Sequence, residues 1–228
     1  MKRRIAVFAS GNGSNFEAIA TACDTGELQA EVALMVCDRP GAPVVERAAA
    51  HGVESYVFAP REFASKADFE REIVRRLDEV GNGLVDWDKL DEAGVELVCL
   101  AGYMRIVGPT LLGAYEGRII NLHPSLLPSF RGAHAIEQAL DYGVKVFGVT
   151  IHWVDATLDG GRIIAQRAFG YEGHDLEELE AMIHCVEHPL YIETIARLLD
   201  GGLRDRGPAA GAAEEKKQEQ PTQTNDKQ

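Results

Sequence analysis

No apolar run in this chain approaches the ~20 residues that span a bilayer, so hydropathy gives no membrane helix. The N-terminus, MKRRIAVFASGNG, starts basic, but its apolar stretch stops within a few residues. It reads as a first strand and not as a signal peptide. Cysteine is sparse: Cys23, Cys37, Cys99 and Cys185 stand far apart, with no CxxC pair. Cys37 and Cys99 fall in apolar, strand-like runs, where a thiol behaves as a small hydrophobe. That usage is expected of a protein in a reducing cytoplasm. Basic residues are outnumbered 36 to 23, a formal net charge of −13, which argues against a nucleic-acid backbone as the main partner. An anionic small molecule would need a local cradle. Internal repeats are missing too, and so is any Val, Ile, Leu, Phe, Tyr or Trp beyond Leu203. A segment that cannot bury apolar surface cannot offset its ordering entropy. Residues 204–228 are therefore expected to be a disordered tail, and residues 1–203 the folded domain.

The remaining composition, 46% hydrophobic and 26% charged over 228 residues, suits one sizeable core. Apolar strand-like runs at Arg4–Ser10, Glu31–Asp38, Ser55–Phe58, Leu97–Ala101 and Ile119–His123 are separated by segments with helical spacing. The expected helices are 16–23, 44–51, 68–80, 109–115 and 136–142. Strands at Val146–Trp153 and Arg162–Ala168 follow, then a long helix over 175–199. Alternation in the first part and a mixed ending predict an α/β domain of three layers. The segment 81–94 (GNGLVDWDKLDEAG) reads as an extended loop or an extra helical turn, anchored by Leu84, Val85, Trp87 and Leu90.

Two stretches carry chemistry. Gly11-Asn12-Gly13-Ser14-Asn15 lies between the first strand and the first helix. That arrangement aims free backbone N–H groups and a helix dipole at an anion. It has neither the spacing of GxGxxG nor the GK[ST] of a nucleotide loop, so a monophosphate is the better fit. A tight turn that binds nothing is the alternative. The second stretch is IINLHPSLLP at 119–128. Alternation along a strand points Asn121 and His123 to one face, and Pro124 ends the strand. Open α/β sheets bind ligands at this end of their strands. An uncharged donor beside a titratable one suits the oxyanion of an acyl transfer; otherwise the two merely satisfy nearby backbone groups. Arg105, just past a strand, is either a surface charge or a carboxylate clamp. His51 reads as a helix C-terminal cation, His174 as solvent-exposed, and His134 and His152 as packing or hydrogen-bonding groups.

GNGSN at 11–15, AGYMRIV at 101–107, NLHPSLLPSFRGAHA at 121–135, LDGG at 158–161 and EH at 187–188 together resemble the phosphoribosylglycinamide formyltransferase family, from Arg4 to about Leu199. The resemblance implies a mostly parallel, twisted sheet with helices on both faces, a Rossmann-like formyltransferase fold. It also implies transfer of a formyl group from 10-formyltetrahydrofolate to the primary amine of 5-phosphoribosyl-glycinamide. The family's catalytic trio falls on Asn121, His123 and Asp159. Asn121 and His123 would stabilise the oxyanion. Asp159 would favour the donating imidazole and assist proton transfer, with Asp155 as the competing carboxylate, or else a turn-forming residue. Gly13, Ser14 and Asn15 map to the phosphate site, and Glu187 to a substrate contact or a helix-surface acid. Lys66, Met104, Arg105, Ile106, Val107, Asn121 and Leu158 map to the folate pocket. No metal is expected, the partners are the two small molecules with no nucleic acid or membrane, and the protein is a monomer or homodimer.

The chain departs from the family pattern in places. Lys66 stands where an arginine is common, keeping the charge without its planar fork. Arg131 gives an FRG that resembles methionyl-tRNA formyltransferases. A folded C-terminal module and a basic surface are not expected, against the tRNA enzyme. The first strand starts too early for a preceding regulatory domain, against formyltetrahydrofolate hydrolase. His184-Cys185-Val186-Glu187-His188 fits the HxxEH zinc-hydrolase spacing, but Pro189 disrupts the local helix ladder and a third protein ligand would be needed. A non-catalytic phosphate-binding module is the remaining alternative.

Overall fold

The structure, a computed structural model, describes residues 2–81 and 94–201. The expected loop between Gly81 and Gly94 and the expected tail at 204–228 lie outside them. Seven strands form one sheet in the order β3-β2-β1-β4-β5-β6-β7. They are β1 (Arg3–Phe8), β2 (Ala30–Cys37), β3 (Ser55–Val57), β4 (Leu97–Leu100), β5 (Ile119–His123), β6 (Val146–Trp153) and β7 (Ile163–Gly170). The pairings among β1 to β5 are parallel. β6 and β7 add antiparallel to β5. The helices are α1 (Ser14–Thr25), α2 (Pro43–Ala50), α3 (Lys66–Val80), α4 (Pro109–Ala114), α5 (Ala135–Tyr142) and α6 (Leu176–Asp200).

Alternation along β1 builds both faces of the core. Ile5 and Val7 enter one cluster with Phe16 and Ile19 of α1, Val44 of α2 and Ile183, Tyr191 and Ile195 of α6. Ala6 and Phe8 enter the other with Phe69, Ile73 and Leu77 of α3 and Leu111 of α4. Both faces are thus covered, as a parallel sheet requires, and the three-layer α/β reading holds. β1 lies between β2 and β4, so the loops leaving β1 and β4 diverge and open a crevice at the carboxyl ends of the strands.

Local chemistry sets several boundaries. Ser65 accepts a hydrogen bond from the Asp68 backbone and starts α3, as the Ser65–Asp68 pattern predicts. Asp175 does the same for α6 through Glu178. Pro189 does not end α6: it lies inside a helix that continues to Asp200. The disruption stays local, as the loss of one backbone donor, while packing of Leu190, Tyr191, Ile195 and Leu198 holds the following turns against the sheet. Among the described residues no helix is long and apolar enough to cross a membrane.

Candidate active site

The site forms where β5, the loop that follows it, and the β6–β7 turn meet. β5 and β6 place Asn121 opposite His152, and His123 opposite Thr150. Cross-strand partners share a face, so the amide and the two imidazoles project together. Asn121 Nδ2 lies 3.1 Å from His152 Nε2. His152 Nδ1 lies 2.8 Å from the Trp153 carbonyl, and a carbonyl only accepts. Nδ1 therefore carries the proton and Nε2 accepts from Asn121. Burial pushes the His152 imidazole below its ordinary value, the Trp153 carbonyl opposing, which fits that neutral tautomer. One N–H of the Asn121 amide is spent on His152, and its second N–H remains for a ligand.

His123 is 5% exposed, and its Nε2 donates to the Phe130 carbonyl at 2.8 Å. Phe130 has φ 54°, an unusual conformation for a bulky residue, and that turn aims its carbonyl at the ring. Of the two ring nitrogens only Nδ1 is left to face the site. It lies 3.6 Å from Asp159 Oδ2, beyond a hydrogen bond but within range of charge attraction. Asp159 itself is fixed from both sides. Its Oδ2 accepts from the Gly132 backbone at 2.7 Å, and Oδ1 lies 3.8 Å from His152 Nε2.

The turn that delivers Asp159 explains the LDGG spacing. Asp159 takes a left-handed φ of 47°. A Cβ on Gly161 would sit 1.8 Å from the Trp153 carbonyl oxygen, so only glycine lets β7 start that close to the end of β6. Asp155 accepts from the Thr157 backbone at 2.8 Å. That bond makes it the turn-forming residue of the pair, and Asp159 is the carboxylate brought to His123.

At the carboxyl end of β1, Gly13 caps α1 with φ 79° and no side-chain cap, which leaves the first amides of the helix unpaired within it. A Cβ there would meet Val44 Cγ2 at 2.5 Å. The Asn15 side chain does not face outward beside those amides. It is 8% exposed, and its Nδ2 donates to Glu187 Oε2 at 2.9 Å. Glu187 is 3% exposed, so it is a buried partner of the loop and not a helix-surface acid.

Residues 3–195 match the family described as formyl transferase. The chain belongs to that family. It is 49% identical to the phosphoribosylglycinamide formyltransferase of Bacillus subtilis (strain 168) over 209 residues, 91% of this chain and all of that one. The crystal structure of phosphoribosylglycinamide formyltransferase from Bacillus halodurans superposes with a TM-score of 0.78 at 50% identity, covering 86% of this chain and 95% of that one. Glycinamide ribonucleotide transformylase 1 from Geobacillus kaustophilus gives 0.79 at 50% identity, covering 87% of this chain and all of the other.

In this formyl transferase the loop after β4 leaves the same side of the sheet, between the ends of β1 and β5. Met104 is 67% exposed, Ile106 65% and, on the β6–β7 turn, Leu158 52%. Apolar side chains this open, next to polar groups, make a surface suited to a flat aromatic ligand. Val107 instead belongs to the core beside α3. Arg105 donates from Nε to Asp38 Oδ2 at 2.6 Å, so the carboxylate it clamps is the protein's own. Asp38 also accepts from Ser10, whose hydroxyl accepts from the Met104 backbone at 2.9 Å. This chain of bonds ties the loop after β4 to the end of β2. Lys66, exposed at the start of α3, brings its Cε to 2.8 Å from the position a Cβ on Gly108 would occupy, alongside the same loop.

Two members of the site were not singled out as functional from sequence. His152 had only a packing or hydrogen-bonding role, and its signal is its register against Asn121. Phe130 carried no signal, because its part is played by a backbone carbonyl. His134 is exposed and pairs with Glu137, outside the site. His184 and His188 stack at 6.0 Å while His184 bonds to Glu187. Among the described residues no group of three His, Cys, Asp or Glu is placed to hold a metal, so the HxxEH motif has no third protein ligand there.

Proposed function

We propose that this formyl transferase moves the formyl group of 10-formyltetrahydrofolate onto the amine of 5-phosphoribosyl-glycinamide, a step of purine synthesis. The observation that carries the proposal is the convergence of Asn121, His123 and Asp159 at the carboxyl end of β5, in a sheet whose parallel strand β1 leads at the same side into the glycine turn before α1. Half-identical relatives that bear this activity in their names support it.

In this reading the substrate phosphate lies on the amides of Gly13, Ser14 and Asn15, and Asn15 and Glu187 face the sugar. An acidic protein can hold an anion this way because the charge is met by main-chain dipoles. The folate ring lies against Met104, Ile106 and Leu158, with Lys66 and Arg105 on the side of its carboxylates and Val107 supporting the loop from beneath. The substrate nitrogen attacks the formyl carbon, a C–N bond forms and the carbonyl oxygen becomes negative. The second N–H of Asn121 and an Nδ1–H donor on His123, whose Nε2–H stays on the Phe130 carbonyl, meet that oxygen. Asp159 holds the imidazole and relays the proton from the attacking amine to the departing folate nitrogen, and the bond to that nitrogen breaks. Both partners are small molecules, no step uses a metal, and the reaction belongs to the cytoplasm, in a monomer or homodimer.

An acceptor screen tests the proposal. With 10-formyltetrahydrofolate, glycinamide ribonucleotide should be formylated, while methionyl-tRNA and water should give background rates. Faster release of formate to water, or faster formylation of methionyl-tRNA, would replace the proposal with the corresponding relative's activity.

A further inference from the structure

The loops that leave β2, β3 and β4 at their carboxyl ends enclose a pocket of about 590 Å³, whose lining includes Asp38, Arg39, Arg61, Glu62 and Arg105. Asp38 is 4% exposed, and each of its oxygens accepts from a protein donor. The Ser10 hydroxyl bonds to Oδ1, and Arg105 Nε bonds to Oδ2 at 2.6 Å. A buried carboxylate needs such partners. Arg105 gives it Nε alone. Among the described residues the terminal nitrogens of that guanidinium have no protein partner, and the side chain stays 41% exposed. With Asp38 neutralised by Arg105, the pocket keeps Arg39 and Arg61 against Glu62, a positive balance in a chain of net charge −13. A pocket of that charge suits an anion, and the free edge of a guanidinium fits a carboxylate through two parallel bonds.

A carboxylate beside Arg105 weakens the pull of that arginine on any other carboxylate, so the use of Asp38 lies in geometry. A guanidinium held at Nε presents Nη1 and Nη2 to a ligand. An arginine already fixed in one rotamer also loses less freedom when the ligand arrives. Asp38 is fixed in turn by Ser10, whose oxygen accepts from the Met104 backbone at 2.9 Å and whose own N–H donates to the Gly102 carbonyl at 3.0 Å. Asp38 is thereby tied to the loop that carries Met104 and Ile106, the exposed apolar pair assigned to the folate ring.

We propose that Asp38 is a positioning residue for the folate tail: it aims the Nη edge of Arg105 at a tail carboxylate, in the pocket beyond the ring. This rests on the function proposed above.

The test is steady-state kinetics on the full chain with two cosubstrates, 10-formyltetrahydrofolate and the same molecule cut before its glutamate, 10-formyltetrahydropteroate. In the wild type the tail-less cosubstrate should have a KM about tenfold higher. Asp38→Ala should raise KM for 10-formyltetrahydrofolate about tenfold. It should leave kcat, and KM for the tail-less cosubstrate and for glycinamide ribonucleotide, within about twofold, so the two cosubstrates become level. Asp38→Asn retains an oxygen for Arg105 and offers a donor to the second lone pair of the Ser10 hydroxyl, so it should recover most of the loss. In an Arg105→Ala background Asp38→Ala should add nothing, because the aspartate acts through the arginine. Asp38→Ser, too short to reach Arg105, should reproduce the tail-specific loss, which keeps the inference open to refutation if the alanine variant does not fold. An unchanged KM in these variants would overturn the inference, as would equal losses for both cosubstrates or additive losses with Arg105→Ala. A wild type that is active but does not distinguish the two cosubstrates overturns the inference alone, whereas one that uses neither overturns the proposed function.

Discussion

Gly161→Ala offers a steric test of how Asp159 is delivered. The added Cβ would lie 1.8 Å from the Trp153 carbonyl oxygen, and that oxygen is backbone and cannot rotate aside. Either β7 retreats from β6 or the turn lifts, and each moves Asp159 by about 1 Å, a displacement that costs on the order of 10²-fold in rate when it falls on a catalytic group. Overpacking of this kind destabilises by about 1–3 kcal/mol, or roughly 2–4 °C in Tm for each kcal/mol in a chain of this length. Gly160→Ala is the control. Its Cβ would meet Thr157 Oγ1 at 2.2 Å, but a hydroxyl can rotate, at the expense of its bond to Asp155. kcat and the thermal midpoint, measured together on both variants, should show a severe loss for Gly161→Ala and a mild one for Gly160→Ala. Wild-type kcat and Tm in Gly161→Ala, or equal damage in the two variants, would refute the steric reasoning.

Three further outcomes are expected. Gly13→Ala adds a Cβ 2.5 Å from Val44 Cγ2 at φ 79°, so it should destabilise by about 1–3 kcal/mol and raise KM for the phosphate-bearing substrate more than it lowers kcat; denaturant midpoints and kinetics check both. His152 is held below its ordinary value by burial; its proton, once gained at Nε2, blocks the bond from Asn121, so kcat should fall on the acid side, and His152→Phe should remove that limb while costing about tenfold at neutral pH. His51 is raised first by its bond to Asp24, 2.6 Å away, with Glu17 adding to it; its contribution to stability is complete below the unfolded value near ~6.5 and is lost as pH rises through the higher folded value, so Tm against pH should flatten on the alkaline side in His51→Gln.

Much of the fold was legible because each buried strand announces itself. The runs ending at Phe8, Cys37, Leu100 and His123 are apolar on both faces, and the Ser65 and Asp175 caps mark helix starts within a residue or two. Asn121 and His123 were legible as residue types at a strand end, whereas Asp159 was told from Asp155 only by the family resemblance of LDGG. What escaped depends on contacts between positions remote in sequence. Asn15 and Glu187 are 172 residues apart, and nothing in GNGSN alone says that its last side chain turns inward. The pairing of Arg105 with Asp38 spans 67 residues, so position alone left that arginine undecided. His123 was expected as a free donor, yet one of its nitrogens belongs to the Phe130 carbonyl, an acceptor that no side-chain pattern records.

The most direct measurement is the single-turnover rate of Asn121→Ala at saturating concentrations of both substrates. If the amide held by His152 is already in place for the carbonyl oxygen that turns negative, the rate should drop about 10²–10³-fold while the dissociation constant for glycinamide ribonucleotide stays near the wild-type value. A rate that remains near wild type, or a loss confined to substrate binding, would contradict it.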